Sequence, residues 1–507
     1  MTLQEQIGQL LMAGFDGLMP SPGIERLIRE HRIGGVILFR RNVESPAQVA
    51  ALCRRLQQIN AEVSAVPLLI GIDQEGGMVM RIEDGMTPLP SALAYQAAGS
   101  VDDCRALTRI GNAELLALGI NINFAPVLDV NNNRANPVIG VRAFGEDVDT
   151  VCRYGLAALE GIHAAGLAAT AKHFPGHGDT DTDSHLGVPR VGHDRARLDA
   201  VELAPFRAAI AAGVDAVMSS HVAFPAVEAD PDLPSTRSHA VLTGLLRDEL
   251  GFKGVVFTDC LEMDAIAKGP GGTVGGAVDA FKAGADVVLI SHREDRQRDF
   301  LAAMATAVEA GGIAPARIEA SVARILTLKR RVPDWRALPA DPAPQLRTEA
   351  ALALAQRVQN QAVRRQGRGI DPSKPVLLLT FEVRTRTEID EVAMGKAALM
   401  RDTLATALLA AGVNVEEIAL PLAPSTDETA AALARAAEAG QIVCVSYNAV
   451  LQPAQQAMIT ALPTERLWLV AGRLPYDTDL VPQAAGRLAA FGNRPAMLAA
   501  VADALLH

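Results

Sequence analysis

The chain has 507 residues, of which 49% are hydrophobic and 21% charged, and its formal net charge is −11. This composition is that of a packed globular protein and excludes a disordered one. An excess of acidic residues repels phosphate backbones, so we expect no nucleic-acid partner. The five cysteines are scattered and never form a CxxC pair, which argues against a disulfide framework and a structural zinc site. No apolar run approaches the roughly 18 residues of a membrane span, and no basic stretch precedes the first apolar run, so we expect a cytoplasmic protein with no membrane contact.

Short apolar runs alternate with amphipathic stretches over the first two-thirds of the chain. Near-continuous apolar runs are typical of parallel strands that are covered on both faces. The eight predicted strands are Gly8–Phe15, Gly34–Phe39, Pro67–Ile72, Ile120–Val130, Ala168–His173, Asp215–His221, Gly254–Asp259 and Asp286–Ser291. They predict an α/β fold, a (β/α)8 TIM-like barrel over residues 1–331. A doubly wound sheet is the alternative, because strand order cannot be read from a sequence.

The pattern changes after residue 331. A Pro-rich stretch followed by a helical segment at Thr348–Gln366 predicts a linker and connecting helix over residues 332–374. Residues 375–507 then predict a smaller αβα sandwich domain. Its five predicted strands are Val376–Thr380, Asn414–Leu420, Gln441–Tyr447, Leu467–Ala471 and Arg487–Phe491. This part contains no phosphate-binding motif and no cluster of His or Cys, so a structural or dimerising role is the simplest expectation.

Polar or titratable residues stand at six of the eight predicted strand ends in the barrel. They are Asp73, Asp129, Lys172, His173, His221, Asp259 and His292. Enzymes with this barrel build their sites from the loops at the carboxyl ends of the strands. One or two such residues would carry no weight, because ordinary strand ends also carry turn residues. Six ends indicate a functional face.

The densest cluster of titratable residues is the segment 171–185, with one Lys, three His and three Asp. Stability alone does not require so many desolvation-sensitive groups. Asp179, Asp181 and Asp183 resemble the start of a calcium loop. That loop needs glycine in the place of Ser184 and glutamate in the place of Arg190, so calcium binding is disfavoured.

Two further hypotheses concern the histidines of this segment. His173 and His177 are four residues apart, as zinc ligands on a helix would be, but Pro175 lies between them and prevents a regular helix. Asp183 and His185 form an Asp-x-His pair instead. A carboxylate in that position can fix the tautomer of an imidazole that donates and retrieves a proton.

Other candidate residues lie on the neighbouring loops. Asp259 ends an apolar run, where a carboxylate facing a pocket acts as a nucleophile or stabilises a cation, the alternative being a helix N-cap. Asp73 and Arg81 flank a pair of glycines and are candidates for holding the hydroxyls of a polar ligand. Arg142 is the one arginine of the loop 136–145.

Together these motifs resemble family 3 of the glycoside hydrolases, and within it the bacterial β-N-acetylglucosaminidase branch. The resemblance extends over about residues 1–330 and is weaker in the second domain, where it rests on the overall pattern and on Phe491–Pro495. In chain order, the motifs that carry it are Ile72-Asp73-Gln74-Glu75-Gly76-Gly77 with Arg81, Phe124-Ala125-Pro126-Val127-Leu128-Asp129, Ile139-Gly140-x-Arg142-x-Phe144-Gly145, Lys172-His173-Phe174-Pro175-Gly176-His177-Gly178, Asp183-Ser184-His185 and Thr258-Asp259-x-Leu261-x-Met263.

The resemblance implies a retaining enzyme that hydrolyses terminal β-linked N-acetylglucosamine, with cell-wall or muropeptide fragments as the usual substrates. It implies Asp259 as the nucleophile and His185, held by Asp183, as the general acid/base. The substrate-binding residues that it implies are Asp73, Arg81, Arg142, Lys172, His173, His221 and Met263. The β-glucosidases of the family take their acid/base from the second domain and lack the Asp-Ser-His motif, so its presence favours the hexosaminidase branch. No metal or organic cofactor is implied, and the sequence leaves the oligomeric state open.

Two alternatives remain at this point, and two positions depart from the family pattern. A phosphorylase is compatible with the His–Asp pair, because a neutral imidazole repels a phosphate dianion less than a carboxylate does. A catalytically silent sugar-binding protein is the other alternative. Met78 stands where the family usually has arginine, and the polar run 361–367 replaces the usual apolar one, which predicts a divergent second domain. His185 must be protonated to act as an acid, so we expect activity to decline at alkaline pH.

Overall fold

A computed structural model describes residues 1–182, 187–382 and 403–507 of the chain. Its first part contains ten strands. They are β1 (Leu11–Ala13), β2 (Gly35–Leu38), β3 (Leu69–Ile72), β4 (Gln74–Gly76), β5 (Val79–Met80), β6 (Ile122–Asn123), β7 (Ala168–Phe174), β8 (Ala216–Ser219), β9 (Val255–Cys260) and β10 (Val287–Ile290). Strands β4 and β5 form an antiparallel hairpin directly after β3, and the other eight form a separate sheet.

These eight strands close into a parallel barrel with the order β1-β10-β9-β8-β7-β6-β3-β2. The predicted barrel is therefore confirmed, and the doubly wound alternative is wrong. The predicted strand Ile120–Val130 is regular only over Ile122–Asn123. Beyond it the backbone continues as a loop that still bonds to β7, since the Leu128 N–H donates to the Lys172 carbonyl at 2.7 Å.

Helices surround the barrel and connect its strands. They are α1 (Leu3–Gln9), α2 (Pro22–His31), α3 (Pro46–Ala61), α4 (Ala92–Ala98), α5 (Val101–Ala117), α6 (Val148–Ala164), α7 (Arg195–Ala200), α8 (Ala204–Ala211), a π-helix at Ala240–Glu249, α9 (Asp264–Ala267), α10 (Gly272–Ala283), α11 (Glu294–Glu309) and α12 (Pro315–Lys329). Several begin with a side-chain cap, as when Asp147 accepts the Thr150 N–H at the start of α6. Within the described residues, no helix combines the length and the apolar character that a membrane crossing requires.

Aromatic side chains fill the interior of the barrel. The rings of Phe124 and Phe257 pack edge to face with centroids 5.5 Å apart, and both side chains are fully buried. Gly71 of β3 lies against the first of these rings, and a Cβ at that position would come within 2.8 Å of its Cε2. Dense packing therefore requires glycine in this strand, which is why the apolar run is interrupted there.

The second part of the chain contains a six-stranded sheet. After α13 (Glu349–Ala362) its strands are β11 (Arg364–Gly367), β12 (Val376–Glu382), β13 (Val415–Pro421), β14 (Ile442–Ser446), β15 (Leu467–Ala471) and β16 (Gly486–Ala489). Their order is β11-β16-β15-β14-β12-β13, and all pairs are parallel except that of β11 with β16. The further helices of this part are α14 (Leu404–Ala410), α15 (Thr426–Glu438), α16 (Pro453–Thr460) and α17 (Pro495–Leu506).

Strand β11 explains the polar run that departs from the family pattern. The sequence predicts a helix over Thr348–Gln366, whereas the helix ends at Ala362 and an extended strand follows it. This strand lies at the edge of the sheet and all four of its residues are exposed. Polar side chains suit an exposed edge, because an apolar edge strand invites pairing with other chains.

Arginines of the second domain hold the hairpin that follows β3. Arg494 donates to the Met78 carbonyl at 3.0 Å and to the Gly77 carbonyl at 3.4 Å, and it forms an ion pair with Glu83 at 3.0 Å. Arg473 contacts the Met78 sulfur through Nη2 at 2.6 Å. The position that departs from the family pattern is therefore a point of contact between the two domains.

We predict that Arg494→Met destabilises the chain by about 2 kcal/mol, because it leaves two loop carbonyls and the Glu83 carboxylate without this donor. Urea unfolding measures the difference. The matched control is Arg435→Met, which removes an exposed ion pair with Glu416 within the second domain and should cost about 0.5 kcal/mol or less. Equal losses in the two variants would contradict a special role for Arg494.

Candidate active site

A cavity lies at the carboxyl ends of the barrel strands. Its polar side chains come from five strand ends or loops, while aliphatic and aromatic groups form the remaining wall. The described residues that line it are Ile37, Phe39, Asp73, Glu75, Val79, Arg81, Val138, Arg142, Lys172, His173, His177, Met218, Asp259, Cys260, Met263, Leu289 and Ser291. The sequence-predicted functional face is therefore the face that carries a cavity.

Four charged side chains form a connected cluster on one side of this cavity. Lys172 at the end of β7 places its Nζ 2.7 Å from Asp73 Oδ1 and 2.6 Å from Glu75 Oε1. Arg142 meets Glu75 in a bidentate pair, with Nε at 2.9 Å from Oε2 and Nη2 at 2.8 Å from Oε1. Three separate chain segments are thus joined through a single carboxylate.

Burial makes this cluster electrostatically demanding. Burial alone would raise the pKa of Glu75, but the adjacent Arg142 and Lys172 outweigh it and hold that pKa far below its ordinary value. Burial likewise lowers the pKa of Lys172, yet Asp73 and Glu75 raise it above its usual range. Glu75 and Lys172 therefore remain charged at neutral pH. Each depends on its partners, because an unpaired buried charge is strongly destabilising.

The donors around His173 determine its tautomer. The Arg142 guanidinium carries only donors, and its Nη2 lies 3.3 Å from His173 Nε2, so that nitrogen accepts a hydrogen bond. Nδ1 then carries a ring proton and donates to Asp129 Oδ2 at 2.7 Å. Burial raises the pKa of Asp129, but its interactions with His173 and His177 lower it below its ordinary value. Both ring nitrogens are thus engaged in hydrogen bonds, which disfavours the zinc hypothesis for the two histidines.

His177 is a second buried imidazole of this segment. Its Nδ1 lies 2.8 Å from Thr180 Oγ1, and the Thr180 hydroxyl donates to the His177 carbonyl at 3.0 Å, so Nδ1 is the donor of the first bond. Burial lowers the pKa of His177 to about 4 in spite of the neighbouring Asp129. Gly178 follows against the Val130 carbonyl, where a Cβ would lie 1.8 Å from the oxygen, so only glycine fits.

Asp259 is the penultimate residue of β9, which lies across the closed barrel from β3. Its Oδ1 accepts the Cys260 N–H at 2.7 Å, and its side chain is partly exposed to the cavity. Met263 provides an apolar surface beside it. The Asp259 carboxylate is thus oriented by the backbone while facing the space that a ligand would occupy.

The structure brings together most, but not all, of the predicted site residues. Asp73, Arg81, Arg142, Lys172, His173, Asp259 and Met263 line the cavity. His221 is absent from that lining set. It is fully buried, with Nδ1 2.9 Å from Thr236 Oγ1 and Nε2 2.9 Å from the Cys260 carbonyl. Asp183 and His185 lie outside the described residues.

Two carboxylates of the site were not assigned roles from the sequence. Glu75 occurs in a motif, and Asp129 was predicted only as a polar strand end. The role of Glu75 depends on partners 67 and 97 residues away along the chain, and that of Asp129 on partners 44 and 48 residues away. A sequence pattern does not contain these distances. The structure does not support the calcium hypothesis, because the Asp179 carboxylate is paired with His193 at 2.6 Å.

Comparison with known proteins then gives the family. A model described as the glycosyl hydrolase family 3 N terminal domain matches residues 2–328. A (β/α)8 barrel with carboxylates that face a cavity at the carboxyl ends of its strands is compatible with a glycoside hydrolase. The family match identifies the chain as a member of this class of enzyme. The chain belongs to family 3 of the glycoside hydrolases, as its motifs indicate.

Individual relatives agree with this assignment. A β-N-acetylglucosaminidase structure from Paenibacillus sp. str. FPU-7 is 47% identical, with a TM-score of 0.93 over 100% of this chain and 96% of that chain. Beta-hexosaminidase A of Pseudoalteromonas piscicida is 36% identical over 411 residues, or 72% of this chain and 68% of the relative. NagZ from Neisseria gonorrhoeae, solved in complex with N-trifluoroacetyl-D-glucosamine, is 31% identical, with a TM-score of 0.59 over 70% of this chain and 97% of that chain.

We predict that Glu75→Gln lowers the free energy of unfolding by about 3 kcal/mol at neutral pH, since Lys172 and Arg142 then lose a shared buried counter-charge. Urea unfolding measures this loss. Glu62→Gln, which removes an exposed pair with Arg29, is the control and should change stability by about 0.5 kcal/mol or less. Because the pKa of Glu75 is depressed on folding, its contribution to stability is fully present above the carboxyl's ordinary pKa and is lost as pH falls from there through the lower folded-state pKa. The variant should lack that acid-dependent loss.

His177 leads to a second stability prediction. Its pKa falls from 6.5 to about 4 on folding, so between these values the unfolded chain takes up a proton that the folded chain does not. The contribution of the neutral His177 to the free energy of unfolding is therefore fully present above pH 6.5. It decreases toward pH 4 by an amount of the order of 3 kcal/mol. The thermal unfolding temperature of His177→Asn should change less between pH 7 and pH 4 than that of the wild type. The exposed His239→Asn is the matched control, and the same slope in both variants would exclude His177 as its source.

Proposed function

We propose that this chain is a retaining β-N-acetylglucosaminidase that removes terminal β-linked N-acetylglucosamine from saccharides. The observation that carries the proposal is the cavity itself, in which Asp259 faces the charged cluster built on Glu75. The names of the relatives support the same activity, because the relatives that are at least 36% identical and cover most of this chain are named hexosaminidases or β-N-acetylglucosaminidases.

The polar wall suits a neutral sugar with several hydroxyls. Asp73 and Lys172 offer a charged acceptor and a charged donor at one point, 2.7 Å apart, and Arg81 adds a second donor near Asp73. We propose that these residues, with Arg142 and His173, bind the N-acetylglucosamine ring, while Met263 contacts an apolar part of it. The NagZ complex with an N-acyl glucosamine supports this choice of sugar. His221 is proposed to act through the Cys260 carbonyl that it holds, without touching the sugar.

The proposed mechanism has two steps. Asp259 attacks the anomeric carbon and forms a glycosyl ester, the bond to the leaving oxygen breaks, and His185 gives its proton to that oxygen. A water molecule then attacks the anomeric carbon, His185 takes the proton of the water, and the ester bond breaks with retention of the β configuration. Asp183 is proposed to orient His185 and to favour its charged form. The support for these two roles is the Asp-Ser-His motif in the sequence.

The first experiment compares release of the aryl group from an aryl β-N-acetylglucosaminide and from the matching β-glucoside. We expect release from the N-acetyl sugar and about a hundredfold less, or none, from the glucoside, because discrimination follows from groups that bind the acetamido substituent. Proton NMR of the first-formed sugar should show the β anomer. A first product with the α configuration would overturn the retaining mechanism, and formation of a sugar 1-phosphate on addition of phosphate would favour a phosphorylase.

Cell-wall fragments are the substrates that we propose within this activity. The family branch that the motifs resemble supports muropeptide recycling in the cytoplasm as the context. Incubation with purified N-acetylglucosaminyl-anhydro-N-acetylmuramyl fragments should release free N-acetylglucosamine, and cell fractionation tests the location. Cleavage of chitobiose but not of these fragments would show a different aglycone preference.

The roles of Asp259 and His185 make a joint prediction. With a dinitrophenyl leaving group, which departs without a proton, His185→Ala should form the glycosyl ester but hydrolyse it slowly, so the intact mass rises by one N-acetylglucosamine residue. That mass should lie on the peptide containing Asp259. Asp259→Ala should lose about three orders of magnitude in rate without forming an adduct. Adduct formation on another residue would remove Asp259 from the nucleophile role.

The pH dependence of kcat/KM tests the acid. His185 must be protonated in the first step, so activity with a poor leaving group should fall as pH rises through the pKa of that imidazole. The same measurement on His185→Ala with the dinitrophenyl substrate should lack this alkaline limb. An identical alkaline decline in the wild type and in His185→Ala would show that a group other than His185 causes it.

A further inference from the structure

Cys260, Glu262 and His292 form a cluster of three different metal-ligating side chains beside the cavity. The first two lie at and just after the end of β9, and His292 lies two residues after β10. One ligand atom from each of the three lies within 4.8 Å of the others. Thiolate, carboxylate and imidazole are the three protein ligands that zinc uses, and catalytic zinc sites often combine three such ligands with one open position.

Glu262 already holds the imidazole in place. Its Oε2 accepts the His292 backbone N–H at 2.6 Å and lies 3.2 Å from His292 Nδ1, while Oε1 accepts the Arg293 N–H at 3.2 Å. These backbone bonds cap the start of α11. This capping role explains why a carboxylate stands at position 262. It does not explain the imidazole of His292 or the thiol of Cys260. The presence of both beside the carboxylate is the additional observation that points to a cation.

The cluster is reachable and its charge suits a divalent ion. Cys260 lines the cavity, and the His292 side chain is 29% exposed. Bonds of zinc to sulfur, nitrogen and oxygen place tetrahedral ligands about 3.3–3.8 Å apart, so atoms that lie within 4.8 Å of one another need to close by about 1.5 Å at most. Rotation about the Cys260 Cα–Cβ bond moves the sulfur by that much. A thiolate and a carboxylate together balance the two positive charges, and Arg296 keeps its contact with Oε1 at 3.3 Å.

We propose that Cys260, Glu262 and His292 bind a thiophilic divalent cation of the zinc type, and that its binding inhibits the enzyme. Three bonds between the hydrated ion and water are replaced by bonds to sulfur, to a carboxylate oxygen and to an unprotonated imidazole nitrogen. The thiol proton of Cys260 is released to the solvent, and no oxidation or reduction takes place. The inhibitory effect rests on the proposed function, because the backbone N–H of Cys260 holds the Asp259 carboxylate at 2.7 Å.

The first test is optical and needs no substrate. Cd2+ titrated into the full chain should produce a thiolate-to-metal charge-transfer absorption in the wild type. Cys260→Ser should abolish this absorption, and His292→Asn should weaken the Cd2+ affinity at least about tenfold. The matched control is Cys152→Ser, which removes a partly exposed thiol on α6 and should leave the titration unchanged. Circular dichroism confirms that each variant is folded.

Three optical outcomes would overturn the proposal. One is the absence of a Cd2+ absorption in the wild type, and another is its loss in Cys152→Ser instead of Cys260→Ser. The third is an unchanged affinity in His292→Asn, which would indicate an adduct with a single thiol. If Cys260→Ser does not fold, the His292→Asn titration still decides between a three-ligand site and a simple thiol adduct.

The second test measures hydrolysis of the aryl N-acetylglucosaminide with increasing Zn2+, each variant being compared with its own rate in the presence of a chelator. Wild type and Cys152→Ser should be inhibited alike, and the Zn2+ concentration for half inhibition should rise at least about tenfold in Cys260→Ser and in His292→Asn. Equal inhibition of all four proteins would overturn the link between the cluster and activity. An inactive wild type that still binds Cd2+ would refute the proposed function and leave the metal site standing.

Discussion

The geometry of the site depends on the buried carboxylate of Glu75, which Lys172 and Arg142 share. These three residues come from the hairpin after β3, from β7 and from the loop 136–145. In the part of the chain that the structure describes, no backbone ladder joins these three segments to one another at this point. A charge that is buried so completely is stable only with its partners in place. The ion cluster therefore ties three loops of the cavity into one arrangement. The cluster also fixes the ring of His173, because the Arg142 guanidinium contacts both Glu75 and His173.

The second domain supports the same arrangement from outside the barrel. Arg494 and Arg473 hold the backbone and side chain of the hairpin that carries Glu75, while Tyr476 contacts Glu146 close to the loop of Arg142. None of these three residues lines the cavity among the described residues. The domain thus acts on the site by restraining two of its loops. This gives the second sheet a role besides that of a separate folding unit.

Much of the fold was readable from the sequence, because burial on both faces forces apolar residues into parallel strands. The eight runs of the barrel and the five parallel strands of the second sheet are all present. The sequence did not indicate β11, since an exposed edge strand has no apolar face and its polar residues continue the pattern of the preceding helix. The boundary of that helix was wrong for the same reason.

The sequence by itself determined the eight parallel strands, the family resemblance and seven of the seventeen residues that line the cavity, because strand runs, strand ends and motifs are local features. The closure of the strands into a barrel was decided by the tertiary structure. The tertiary structure alone decided which charges neutralise one another. The pairing of Glu75 with Arg142, the tautomer of His173 and the cluster of Cys260 with His292 all join groups that are 31 to 67 residues apart. Such contacts arise when neighbouring strands bring their ends to one face. Coulomb energy and desolvation act on distances in space, which a linear pattern does not contain.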